Sequence, residues 1–209
     1  MPLSNAAPRE LLHQREIQVR GYRRADGLFD VEGHLTDTKP FTIDSDRGRL
    51  PPGTPLHGMW MRLTVDADMN IVASEACTEF GPFSTCAGGA GSYARLVGLT
   101  IMPGFLRAAN ERMGGRAGCT HIREMLQQMA TTAFQAMWAV RSRRDAARKS
   151  GAGQSDNKSD DSIALINTCY AYASDGPVVQ TRWPHLYTGP ATASDAGASD
   201  QAAMGSGER

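Results

Sequence analysis

Residues 14–38 read QREIQVRGYRRADGLFDVEGHLTDT, and this stretch decides the fold. Between Gln14 and Tyr22, Ile17 and Val19 alternate with Glu16, Gln18 and Arg20; after Ala25-Asp26-Gly27 the alternation resumes through Phe29, Val31 and Leu35. A period of two on both sides of an Asp-Gly turn predicts a β-hairpin with one buried face. Opposite Phe29, Val31 and Leu35, the residues Asp30, Glu32 and His34 share the other face. That stripe reads as the wet side of a half-buried sheet, with acid–base work or hard-metal ligation by Asp30 and Glu32 as the alternative.

Working outward, Met59, Met61, Leu63 and Val65 alternate with Trp60, Arg62 and Thr64, and Asp66–Asn70 turns the chain into Ile71–Ala76. A second hairpin follows, giving four antiparallel strands. Beyond Pro82 the pattern becomes helical: Tyr93, Leu96 and Val97 suggest a short helix, and Phe105–Met113 another that stops at Gly114-Gly115. From Thr120 to about Arg148, Ile122, Met125, Leu126, Met129, Ala133, Ala136, Met137 and Val140 recur at three- and four-residue spacing, predicting a long amphipathic helix laid on the sheet. Arg141, Arg143, Arg144, Arg148 and Lys149 crowd its C-terminal end, where cations suit the helix dipole. Ile163–Tyr172 and Val178–Pro184 read as a further pair of short strands. The class is α+β: an antiparallel sheet of two hairpins packed against a long C-terminal amphipathic helix and two shorter helices.

The chain has 209 residues, 41% hydrophobic and 21% charged, enough for one ordinary domain with a real core. A flexible N-terminus is expected over 1–9 and a single globular domain over 10–188. Within it, the charged, Gly- and Ser-rich run at 143–161 reads as a disordered insertion, and 189–209 reads as a disordered tail. Four cysteines are not needed as staples in a core of this size, and neither a membrane span nor a secretion signal is visible. A cytoplasmic protein is therefore expected. Lys+Arg and Asp+Glu each number 22, which argues against broad nucleic-acid binding. The partners expected are a small-molecule substrate and, by default, a second copy in a homodimer.

For chemistry, the strongest candidate is Gly118-Cys119-Thr120-His121, directly before the long helix. A thiol at a helix N-terminus faces unpaired N–H groups that favour thiolate, so Cys119 is read as nucleophile or metal ligand, with His121 two residues on. His57, in Pro55-Leu56-His57-Gly58-Met59, starts the second hairpin and is read as a base or ligand. Cys86 lies in a Gly-rich turn that matches neither a phosphate-binding P-loop nor the dinucleotide fingerprint, so no nucleotide or flavin cofactor is indicated. No C-x-x-C, H-E-x-x-H or G-x-S-x-G occurs, which makes a zinc ribbon, zincin or serine hydrolase an unsuitable reading. Zinc or iron held by His57, Cys86, Cys119 and His121 from distant segments would still suit the donor types.

Taken together, Arg24–Lys39, Pro55–Met59, Gly118–His121 and Met129–Ala136 resemble the bacterial family catalogued as domain of unknown function 2889. The resemblance covers roughly 9–186 and implies a family and no activity. The order of elements is also similar to iron–sulfur scaffold proteins of the NifU N-terminal type. That likeness implies ligands at His57, Cys86, Cys119 and His121, although His57 stands where the scaffolds have cysteine.

Three functions follow as expectations. The first is a small lyase or hydrolase acting on a small metabolite, such as an aromatic acid, with Cys119 as nucleophile or acid and His57 or His121 as base, with or without a metal. The second is a metal or iron–sulfur carrier without turnover, and the third a non-catalytic binding protein.

Overall fold

The computed structural model describes residues 3–151 and 165–190. The chain divides into two compact units, Met1–Ser150 and Gly151–Arg209.

In the first unit, β1 (Gln14–Arg23) and β2 (Phe29–Thr38) form the hairpin expected around the Asp-Gly turn. Gly27 takes the left-handed conformation there with φ of 88°, a conformation that costs glycine little. The small strands β3 (Ile43–Ser45) and β4 (Gly48–Leu50) pair only with each other, in an excursion that the alternation rule does not announce. β5 (His57–Val65) and β6 (Ile71–Phe80) form the second hairpin, and β5 also pairs with β2. The result is a four-stranded antiparallel sheet in the order β1-β2-β5-β6.

The sheet buries one face. Phe29, Val31 and Leu35 of β2 lie opposite Val65, Leu63 and Met59 of β5, and all six are buried. Two-turn 3-10 helices at Ser84–Gly89 and Gly91–Leu96 follow, the second burying Tyr93 and Leu96 where a short helix was expected. Helix α1 (Phe105–Met113) has the bounds that its periodicity predicts. Helix α2 spans Thr120–Gly151 and buries Ile122, Met125, Leu126, Met129, Ala133 and Met137 in the same core as the sheet.

Two glycines let helix and sheet approach. A Cβ on Gly33 would lie 3.0 Å from the Met129 sulfur, and one on Gly21 would lie 2.7 Å from Cβ of Ala136. The methionine can move aside, whereas Ala136 is rooted on the helix backbone. Gly21→Ala is therefore expected to push α2 off β1 and destabilise the protein by about 1–3 kcal/mol in urea unfolding, the usual range for overpacking.

Two expectations need correction. α2 continues to Gly151, beyond Arg148, so the first part of the 143–161 segment is helical; its Ala, Arg and Lys residues are good helix formers. The side chains of Arg141, Arg143, Arg144, Arg148 and Lys149, and residues 152–164, lie outside the described residues. The expected tail from 191 onward lies outside them as well.

The second correction concerns the second unit. Where two short strands were expected, Tyr170–Tyr172 is a 3-10 turn, Pro177–Arg182 is helix α3, and Pro184–Leu186 is another 3-10 turn. Pro177 sits in the first turn of α3, where its fixed φ suits a helix and its missing N–H costs nothing. Runs this short and apolar do not separate strand from helix by period. Among the described residues, no helix is long and apolar enough to cross a membrane.

Candidate functional site

The inward parity of β2 does not stop at Leu35. Two residues further, Asp37 also faces the core side, and its side chain is only 1% exposed. The register places Arg15 of β1 opposite Asp37, and Asp37 opposite His57 of β5. Three polar residues thus occupy one rung across three neighbouring strands, at the end of the sheet where the apolar inner face gives out. A buried carboxylate is costly unless it is paired and hydrogen-bonded, and this one is both.

The Arg15 guanidinium grips Asp37 with two parallel bonds, Nε to Oδ1 and Nη2 to Oδ2, each 2.7 Å. Planar bidentate pairs of this kind are strong and hold orientation. Arg15 also pairs through Nη1 with Glu124 of α2. His57 donates from Nδ1 to Oδ2 of Asp37 at 2.9 Å, and His13, just before β1, approaches Oδ1 through Nε2 at 3.2 Å. From the first turn of α2, His121 brings Nε2 to 3.7 Å from Asp37 Oδ2. Its ring packs on that of His57 with centroids 3.9 Å apart.

Burial alone would push the Asp37 carboxyl up. The bonds from Arg15 and His57 and the nearby charge of His13 outweigh it and hold the group down at about 2. His57 is lowered from the usual histidine value, first by burial and further by Arg15 and His13, against the pull of Asp37. His121 is lowered by burial, by His57 and by Arg15. Both imidazoles are therefore neutral at pH 7. With its proton on Nδ1 facing the carboxylate, His57 keeps Nε2 as a free base.

Cys119 immediately precedes α2, and its carbonyl accepts from the N–H of Arg123 and from the Tyr93 hydroxyl. Tyr93 is fully buried, and burial with the neighbouring Cys119 lifts its hydroxyl to about 12, so it stays a neutral donor. The Cys119 sulfur lies 3.8 Å from Nδ1 of His121. His121 therefore stands between a thiol on one side and the Asp37–His57 pair on the other.

The structure thus brings together His57, His121 and Cys119, which the sequence singles out. It adds Asp37, Arg15 and His13, which the sequence reading passed over. Among the described residues, the group able to share a metal ion is Asp37, His57 and His121, whose ligand atoms lie within 4.8 Å of one another. Cys86 is not in that group; it packs beside Gly81, and its carbonyl accepts from Thr78. Asp30 and Glu32 stand on the opposite face of β2. There Asp30 accepts from Thr64 and Glu32 pairs with Arg62, which also holds Glu75. His34 on that face stacks against Trp60 at 3.8 Å. These outer residues are occupied with one another and lie away from the buried rung.

An α+β fold whose buried carboxylate, histidines and thiol meet at one sheet end defines the site, and the sequence comparisons place it. The family model described as protein of unknown function (DUF2889) matches residues 13–135, and the chain belongs to that family. No curated protein and no solved structure matches it, so the likeness to NifU-type scaffolds finds no support.

Proposed function

We propose that the protein is a small enzyme of the lyase or hydrolase type, with His57 as general base. The observation that carries this reading is the 2.9 Å bond from His57 Nδ1 to Asp37, a carboxylate itself fixed by Arg15. A carboxylate on Nδ1 sets the tautomer and orientation of an imidazole and stabilises the imidazolium formed when Nε2 takes a proton. Cys119 with His121 then supplies either a nucleophile or the proton for a leaving group. The roles of Asp30 and Glu32 as acid and base are not part of this reading, because Arg62 and Thr64 engage them.

The test has two parts. Imidazole nitrogen spectra at pH 7 should show His57 neutral with its proton on Nδ1. Against a panel of small esters, amides and β-hydroxy acids, His57→Ala should lower kcat by about 10²–10⁴, the range for losing a positioned base. Wild-type turnover in His57→Ala rejects the assignment.

A metal-dependent reading has its own support in the convergence of Asp37, His57 and His121, a donor set that suits Zn²⁺ or Fe²⁺. Against it, both Asp37 oxygens are engaged by Arg15, so an ion would have to displace a guanidinium from at least one of them. Elemental analysis of anaerobically purified protein separates the two. Near-stoichiometric zinc or iron that falls in His57→Ala and persists in Cys86→Ala supports the metal; negligible metal in active protein supports the metal-free base.

A further inference from the structure

A groove runs between α1 and the first turns of α2, with Ile17 of β1 beneath it and a volume of about 540 Å³. Its apolar surface comes from Leu106, which is 43% exposed, and half-buried Ile17, with the core residue Leu126 beneath them. Its cations come from both helices. Arg123 spends one donor on the neutral side-chain oxygen of Asn110, at 2.9 Å, and among the described residues no carboxylate pairs with it. Arg107, on α1, meets Glu111 only at 3.9 Å, with both side chains largely exposed. The groove's one carboxylate, Glu124, is committed to Arg15.

A guanidinium with unused donors beside an apolar floor is matched by a carboxylate on a hydrocarbon body, which fills the fork bidentately and covers Leu106. The groove also touches the buried rung: Glu124 lies one turn along α2 from His121, and Arg15 links it to Asp37. We propose that this groove binds small apolar monocarboxylates, with Arg123 holding the carboxylate.

The test is binding, which needs no turnover. The full chain, methyl-labelled at Ile and Leu, is titrated with benzoate, benzamide and inorganic phosphate. Benzoate should saturate and move the methyls of Ile17, Leu106 and Leu126, with benzamide and phosphate at least tenfold weaker. Arg123→Gln should weaken benzoate at least tenfold and Arg123→Lys less. Leu106→Glu, a change at an exposed site that puts a second carboxylate in the groove, should abolish binding. Benzamide matching benzoate, no response from the groove methyls, or full affinity in Arg123→Gln overturns the proposal. His57 does not line the groove, so benzoate affinity should be unchanged in His57→Ala, and a failed base assignment and a failed groove give different results.

Discussion

Replacing Arg15 with methionine is expected to destabilise the fold by about 3 kcal/mol at pH 7, the low end of what breaking a buried ion pair costs. Methionine keeps the length and apolar stem of the side chain but removes both bonds to Asp37. Asp37, almost wholly shielded from water, would then hold its charge with only histidines nearby. The figure sits at the low end because Arg15 is itself 30% exposed, so its own release to solvent is favourable. Urea unfolding of Arg15→Met gives the cost. Adding Asp37→Asn removes the stranded charge and should recover part of the loss, so the two changes should fall short of additivity. Full additivity would show that Arg15 does not stabilise Asp37.

The second large effect is a two-stage loss of stability in acid. His57 and His121 have values lowered below the usual 6.5, so the unfolded chain binds their protons first. Where the unfolded state binds more protons, stability rises with pH, so it should begin to fall as pH drops through about 6.5. Asp37, lowered from 3.8 to about 2, contributes fully above 3.8 and loses its contribution as pH falls towards 2. That second stage is worth about 2 kcal/mol. The charges surrounding the transition are Arg15 and His13 at β1, His57 on β5, and His121 with Glu124 on α2. Midpoints of urea unfolding between pH 7.5 and 2.5 check it. A flat profile from 7.5 to 5 would contradict the lowered histidines, and His57→Gln should shrink that stage to the part that His121 contributes.

The hairpins and α1 are legible in the sequence because each is set by local period and by the turn residues at its ends. Ala25-Asp26-Gly27 fixes the first turn, and Gly114 with Gly115 ends α1. His57, Cys119 and His121 are legible as candidates because each sits at an element's end, where side chains converge. Asp37 is harder. Parity from Phe29, Val31 and Leu35 puts it on the inner face, yet a polar residue there reads locally as the start of a loop. The conspicuous stripe of Asp30, Glu32 and His34 lies on the outer face instead. What places Asp37 against His57 is the β2–β5 register, a property of strands joined through a long excursion rather than a tight turn. Cys86 had no such constraint, and its Gly-rich turn settles it beside Gly81. At Val178 and Val179 the β-branched residues suggest a strand, but the helix-start position of Pro177 prevails and the segment is α3.

The β3–β4 excursion leaves β2 just past Asp37 and returns at His57, where the N–H of Leu56 bonds the carbonyl of Asp37. This has a kinetic meaning. The two long hairpins are short-range structures that can zip independently, whereas joining β2 to β5 first requires closure of that intervening loop. The Arg15–Asp37–His57 rung crosses that seam. A folding chain with both hairpins complete would still have its imidazole and its carboxylate on separate pieces, and His57 would meet Asp37 only when the hairpins dock.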